Sequence, residues 1–397
     1  MKNIKIFTQN IEKTAMEQID LLLEQESFKD CKIRIMPDVH AGAGCVIGFT
    51  GDLGNKVIPN IVGVDIGCGI LCANLGNIDI DFKRLDEIIR KYIPSGMNVH
   101  QKKVKDYDFS QLYCYKELKN KDGWLEKSLG SLGGGNHFIE IDVDNENNKY
   151  LVIHTGSRNL GKQVADIYQN KAIDYCSYKK EMQEEKNKMI KEYKKQGREK
   201  EIQQALIVIN NKYDDKTKLP KDLCYLEGDL REQYLHDMRL CQEFAKLNRS
   251  YIAYKICYEL DILCKDYFQC IHNYINFEDN IVRKGSISAR KGERLIIPMN
   301  MRDGCIIGIG KGNEDWNCSG PHGAGRLMSR KEARQSVSMD DFKQSMEGIF
   351  TTSVNESTLD ESPMAYKNAQ EIIEAVKDTV DIVEVIRPIY NFKASDV

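Results

Sequence analysis

What the chain lacks narrows it first. No Cys-x-x-Cys pair occurs among its thirteen cysteines, so neither a zinc knuckle of that spacing nor a thioredoxin-type redox pair is present. The opening residues, MKNIKIFTQNIEK, contain no apolar targeting core. Together with an odd cysteine count, that predicts reduced thiols in the cytoplasm rather than a disulfide scaffold. The most apolar stretch, IPNIVGVDIGCGILCANLG, is interrupted by Asn60 and Asp65 and is too polar to span a bilayer. An excess of positive charge is missing too: 57 Lys+Arg stand against 60 Asp+Glu, a net charge of −3. A wholly basic nucleic-acid binder is thereby excluded, whereas a local basic groove is not. No internal repeat and no low-complexity tail is visible.

What remains is an ordinary globular composition, 41% hydrophobic and 29% charged over 397 residues, with ample chain for a sizeable core. Its glycines are unevenly spread. The windows 38–76, 130–161 and 304–325 span 93 residues yet hold 22 of 29 glycines and four of seven histidines. Glycine lets backbone approach a ligand closely and adopt positive φ, so beside His, Cys and Asp these windows point to site-building loops.

Segments rich in β-branched residues alternate with helical ones. KIRIMP (32–37) and NIVGVDIG (60–67) are expected as strands ending in Gly-containing turns. HFIEID (137–142) with YLVIH (150–154), and LIIPM (295–299) with CIIGIG (305–310), are expected as strand pairs. Residues from about 164 to 262 are expected as a helical insertion, a hairpin among the forms it could take, on a sheet-rich domain. Within it, 177–200 carries nine Lys/Arg against five Glu with almost no apolar stripe, which favours a solvated helix over an RNA-binding arm. A polar break follows at 212–220, and then Leu235, Met238, Phe244 and Leu247 recur at helical spacing. Near the C-terminus, Ser362-Pro363 predicts an N-cap and first helical residue. Ala365, Ala369, Ile372, Ile373 and Val376 would line that helix, and VDIVEVI is expected as a strand.

Five pieces carry the chemistry. MPDVHAGAG holds Asp38 and His40; VGVDIGCG holds Asp65 and Cys68; GGGNHFIE holds Asn136, His137 and Glu140. VIHTGSRNLG holds His154 and Arg158, and SGPHGAGRLMSR holds His322, Arg326 and Arg330. Taken singly, each has an unremarkable explanation: a Cys in an apolar strand fills core, and a lone His is usually a hydrogen-bonded structural group. Their joint occurrence in Gly loops is a catalytic assortment. A thiolate, neutral imidazoles and a carboxylate suit Mn²⁺, Fe²⁺, Co²⁺ or Zn²⁺. Two guanidinium groups close behind His322 match phosphate oxygens, and a metal-free His could carry a nucleotidyl group as a phosphoramidate. RKGSISARKGER (283–294), five basic residues against one acid, is a second candidate phosphate-contacting stretch, or a solvated loop. His236 and His100 are expected to be structural.

In these motifs the sequence resembles the RtcB family of RNA ligases. MPDVH-x-G-x-G, VGVDIGCG, GGGNHFIE, HTGSR-x-LG, RKG and HGAGR-x-x-SR occur in the family's order, over roughly residues 30 to 393. The resemblance implies an α+β fold with central β-sheets flanked by helices, forming a single catalytic domain over 1–397. It implies an enzyme that joins an RNA 3′-phosphate or 2′,3′-cyclic phosphate to a 5′-hydroxyl end, using GTP and two Mn²⁺ ions, in RNA repair, tRNA processing or splicing. Carried over by position, Cys68 would bridge the ions, Asp65 and His137 would complete one shell, and His154 and His272 the other. Asn136 would hold nucleotide phosphate, Phe138 and Glu140 would face the guanosine, and Lys393 would match a terminal guanine-contacting lysine. His322 would be the guanylylated nucleophile. Arg158, Lys284, Arg326 and Arg330 would contact RNA.

One segment departs from the pattern. After IIP the family commonly has Gly-Ser-Met-Gly lining the nucleotide pocket; here the chain reads MNMRDG (299–304), so Arg302 and Asp303 are expected to add charge there. The MNMRDG and KGNEDWN wording resembles a divergent bacterial branch of the family. Two other readings stand beside the ligase: a metal-dependent RNA-end phosphodiesterase or phosphatase, and a non-catalytic RNA-repair adaptor with a structural metal site. His322 with Arg326 and Arg330 speaks against both, since neither needs a nucleotidyl-accepting histidine.

Overall fold

The computed structural model describes residues 3–213 and 216–394. Its α+β architecture rests on two main sheets. A five-stranded sheet runs Ile4–Ile6, Ile33–His40, Ile47–Gly51, Val282–Lys284, Asn273–Ile275. A larger sheet runs Arg294–Pro298, Cys305–Gly310, Val380–Lys393, Phe138–Val143, Lys149–Thr155, Gly69–Gly76, Asp266–Ile271. All neighbours along that path are antiparallel. Both anticipated strand pairs form, and the C-terminal strand is longer than VDIVEVI, reaching Lys393.

Register positions the site. His154 lies opposite Phe138 on one side and Ile70 on the other. The strand beginning at Gly69 therefore brings Cys68 alongside His154, and the strand ending at Ile271 brings His272 to the same sheet edge. A slip of one residue would send each of these side chains to the opposite face.

Two expectations fail for identifiable reasons. The segment 60–67 is not a strand: Pro59–Val62 forms a short helix with Pro59 at its first position, where a fixed φ and a missing N–H are no handicap. The strand starts only at Gly69. Ser362 does not cap a long helix either. Ser362 and Pro363 do open a helical turn, but only the single 3₁₀ turn Pro363–Ala365; beyond it Leu327 and Lys367 donate backbone N–H groups to the Ala365 and Gly325 carbonyls. The helix is Ala369–Ala375, capped by Asn368. Ala369, Ile372, Ile373 and Val376 still pack together in one core cluster.

Among the described residues, 164–262 is mainly helical, with non-helical connections that include 216–220. The helices Lys179–Lys195 and Ile202–Tyr213 form a solvated hairpin in which Ile209 is the single buried residue. The helices on either side, Leu160–Tyr175 and Gly228–Leu260, belong to the main core through Val164, Tyr168, Met238 and Phe244, with Leu235 buried and Leu247 packed against it. Each fully buried side chain of this size contributes roughly 1.5–3 kcal/mol, so these helices hold the fold together. Of the polar break at 212–220, residues 214 and 215 lie outside the described residues. Among the described residues, no helix is long and apolar enough to cross a membrane.

Candidate active site

The turn that carries Asp65 and Cys68 is built by backbone. Cys68 N–H donates to the Asp65 carbonyl (3.1 Å) and Gly67 N–H to the Asn273 carbonyl (3.0 Å). Gly67 has φ +77°, and a Cβ there would lie 2.9 Å from the Gln242 backbone; both conditions favour glycine. Gly156 has a different reason, because a Cβ would sit 2.4 Å from the Asp65 carboxylate.

Around this turn the metal-capable side chains converge. Cys68 Sγ lies 3.4 Å from His137 Nε2 and 3.3 Å from His154 Nε2, and Asp65 Oδ2 lies 3.5 Å from His137 Nε2. The rings of His154 and His272 meet edge to face with centroids 5.2 Å apart. All five residues predicted as ligands thus form one cluster. His154 Nδ1 contacts the Asn136 carbonyl at 3.1 Å, which fixes the ring and leaves Nε2 toward Cys68, as in a metal-ligating imidazole. Burial, then the neighbouring imidazoles, depress His154 and His272 well below the usual histidine range, so both are neutral donors. Partial burial opposes ionisation of Asp65, but the hydrogen bond and charge of His137 hold its carboxyl below the ordinary range. Burial and the Asp65 carboxylate push the Cys68 thiol up; a divalent cation would reverse that shift by stabilising the thiolate. A soft thiolate, neutral imidazoles and one carboxylate fit a divalent transition metal.

Arg249 and Asp38 complete this centre, and no motif pointed to the first. Arg249 is fully buried on the long helix and donates from Nη1 to the carbonyls of Gly67 (2.9 Å) and Thr155 (2.8 Å). It ties the Asp65–Cys68 turn to the His154 strand. Asp38, fully buried, accepts from His322 N–H (3.0 Å), and its Oδ2 lies 2.6 Å from His322 Nδ1. With Nδ1 facing a carboxylate it carries the proton, so Nε2 presents its lone pair. The His322 ring lies 4.8 Å from that of His272, centroid to centroid. His40, beside them, contacts the Asp38 carbonyl through Nδ1.

From His322 and His154 a cavity of about 510 Å³ opens, lined by Asn136, Phe138, Glu140, Arg326, Arg330 and Lys393 among others. That is the size of a site for a small organic ligand. At one end Asn391 donates to Glu140 Oε1 at 2.5 Å. Burial raises the Glu140 carboxyl to about 7 against the pull of Lys393. Lys393 donates to Glu361 (2.7 Å), which also takes Arg330 (2.5 Å). Despite burial, Lys393 and Arg330 hold Glu361 at about 2. Glu361 was not anticipated; it anchors three cations of the cavity wall, Arg326 at 3.4 Å included.

Two predicted RNA contacts are placed differently. Lys284 does not line the cavity: its ammonium is buried and donates to the carbonyls of Ala43 (2.6 Å) and Asn60 (2.8 Å). The basic run around it is largely spent internally, with Arg283 on Asp279, Arg290 on Glu278 and Arg294 on Asp266. Arg158 is also buried, in the left-handed region (φ +52°). It donates to Ser131 Oγ and the Gly96 carbonyl, both at 2.8 Å. The charge expected from MNMRDG faces away: Asn300 closes a turn on Arg302 N–H and Asp303 N–H (both 3.0 Å), and Arg302 pairs with Asp303 at 2.7 Å. Met299, Asn300 and Met301 line the cavity, while Arg302 and Asp303 do not. His236 rests against Asp237 and His100 against the Gly130 carbonyl, both apart from the cluster.

Cys68, His137 and His154, with Asp65 and His272 beside them, form a cluster that could hold a metal ion, and it adjoins an oriented imidazole at a cavity lined by both cations and carboxylates. The chain belongs to the RtcB family: the family described as tRNA-splicing ligase RtcB matches residues 25–127 and 114–394. It is 29% identical to the RNA-splicing ligase RtcB of Escherichia coli, over 91% of this chain and 90% of the relative. It is 27% identical to the tRNA-splicing ligase RtcB of Nanoarchaeum equitans (90% and 87% covered). With RNA-splicing ligase RtcB homolog 1 of Entamoeba histolytica the identity is 26% (85% and 76%).

Proposed function

We propose that this chain is an RNA ligase that joins a 3′-phosphate or 2′,3′-cyclic phosphate end to a 5′-hydroxyl end through a GMP–His322 intermediate. The observation that carries this reading is the Asp38–His322 pair: an imidazole fixed with its Nε2 lone pair free, at the mouth of a cavity that Arg326, Arg330 and Lys393 line, and against a metal-capable cluster. A hydrolase needs no such nucleophile. The family names support the RNA substrate.

In this mechanism His322 Nε2 attacks the α-phosphorus of GTP, the N–P bond forms, and the bond to the departing pyrophosphate breaks. Asp38 stabilises the positive charge that develops on the imidazole, as the carboxylate of a catalytic triad does. Arg326 and Arg330 face the phosphates, and Phe138, Glu140 and Lys393 surround the base. An oxygen of the RNA 3′-phosphate then displaces His322, giving an RNA–GMP anhydride, and the 5′-hydroxyl displaces GMP. Asp65, Cys68, His137, His154 and His272 would hold two divalent ions, Mn²⁺ by family resemblance, whose charge activates water for opening a cyclic phosphate and offsets the charge of the transition states. Incubation with Mn²⁺ and α-labelled GTP is expected to give acid-labile label on the protein, absent in His322→Ala. Label that persists in that variant overturns the nucleophile, and metal-dependent release of phosphate without label favours the hydrolase.

A further inference from the structure

Alternate residues of the strand Phe138–Val143 share a face, so Glu140 and Asp142 point the same way. Phe138 on that face belongs to an apolar cluster with Cys72, Val152, Ile296, Cys305 and Ile386. Glu140 lines the cavity. Asp142 lies behind it and is fully buried. A carboxylate oxygen of each and the Cys305 sulfur all lie within 4.8 Å of one another.

This corner is short of donors. Asn391 donates an amide N–H to Glu140 Oε1 at 2.5 Å, yet Asn391 Oδ1 and both carboxylate oxygens of Asp142 are buried without a partner. The other groups that face Glu140 supply little. Lys393 spends its ammonium on Glu361, and burial, then the two carboxylates, keeps Cys305 a thiol, which is a weak donor. An ionised Asp142 with nothing donating to it is too costly to bury, so one of the two acids must hold a proton. Burial raises Glu140 to about 7, whereas burial and the Glu140 charge push Asp142 well above the usual carboxylate range. Asp142 therefore keeps the proton and Glu140 the charge, and the buried O–H needs an acceptor.

We propose that Asp142 is a positioning residue for base recognition: its proton bridges to Glu140, keeps that carboxylate ionised, and leaves it to accept from a base that carries two N–H donors side by side. The inference rests on the RNA-ligase reading above and deepens it. Guanine has such an edge, N1–H beside the N2 amine, and one carboxylate accepts from both. Adenine presents a lone pair at N1, which a carboxylate repels, and a site built to bond the one edge rejects the other. A protonated Glu140 would offer a donor beside an acceptor and fit adenine instead, so the proton held on Asp142 decides which base is taken.

The test compares binding of GTP and of ATP to the full chain by equilibrium dialysis at neutral pH. Asp142→Val, with no proton to give, is expected to raise the dissociation constant for GTP about tenfold, the worth of one hydrogen bond to a charged group. The constant for ATP is expected to stay where it is. Asp142→Asn, whose amide still donates, is expected to bind GTP like the parent. Unchanged GTP affinity in the valine variant overturns the proposal. So does weakening of both nucleotides together, or of GTP equally in both variants, the mark of a merely structural role. A parent that binds GTP no more tightly than ATP overturns it as well. Loss of a bound divalent ion in Asp142→Val, measured by elemental analysis, assigns the carboxylates and Cys305 to a metal instead. A preference for GTP without label on His322 sinks the ligase reading alone, since base selection is read from binding.

Discussion

Oδ2 of Asp38 lies 2.6 Å from Nδ1 of His322, although 284 residues separate them in the chain. Asp38→Asn keeps the volume but offers Nδ1 an amide, which can donate and so select the other tautomer. The rate of GMP transfer from labelled GTP to the protein is expected to fall by about 10²–10⁴-fold. A rate equal to the parent's would show that Asp38 does not position the nucleophile.

Cys68 stands within 3.4 Å of His137 Nε2 and 3.3 Å of His154 Nε2, so Cys68→Ala is expected to lower bound Mn²⁺ measured by elemental analysis after desalting. Arg249→Met is expected to weaken metal affinity by about 10–100-fold, because the two carbonyls that hold the Asp65–Cys68 turn lose their donor. Unaltered stoichiometry in the first variant or unaltered affinity in the second contradicts these roles.

Asp142 has both carboxylate oxygens buried without a partner, on the same strand face as Glu140. Burial, then the charge of Glu140, pushes Asp142 well above the usual carboxylate range; burial raises Glu140 to about 7. Both carboxyls hold their protons more tightly in the folded state than in the unfolded one, so the contribution of this pair to stability falls as pH rises from about 4 to about 7. Asp142→Asn removes one such proton. Its unfolding free energy is expected to decline less steeply over that window, by at most about 1.4 kcal/mol per pH unit. Urea titrations at several pH values check this, and parallel curves for variant and parent would refute it.

Asp237 accepts from Tyr113 N–H (2.9 Å), Cys114 N–H (3.0 Å) and Tyr168 Oη (2.8 Å) in a fully buried position. Asp237→Ala strands those three donors and is expected to cost about 3–5 kcal/mol of stability. A shift in the urea midpoint corresponding to less than about 1 kcal/mol would show that water replaces the carboxylate.

Much of the site was legible because its residues announce themselves locally. Asp65, Cys68, His137 and His154 sit in Gly-rich turns at strand ends, and the structure gathers them as the motifs suggest. His272 lacks such a setting, and only its pairing register beside Cys68 explains its place. The basic run at 283–294 misled because charge in a sequence does not say whether a side chain faces water. Arg283 and Lys284 are buried among carbonyls and a carboxylate. Arg302 and Asp303 misled for a related reason, since a tight turn on Asn300 pairs them with each other outside the cavity.

Local chemistry by itself determined the strand pairs and the helical stretch and marked out Asp65, Cys68, His137, His154 and His322 as candidates, because each depends on residues near one another in the chain. Tertiary structure alone decided what orients them. Asp38 on the strand Ile33–His40 reaches His322 just past the strand Ser319–Pro321, Arg249 reaches the Cys68 turn from the middle of a helix, and Glu361 collects Arg326, Arg330 and Lys393 on one carboxylate. Those contacts join segments tens to hundreds of residues apart, so no local pattern encodes them. They form because a buried charge or donor must find a partner once the core has closed around it.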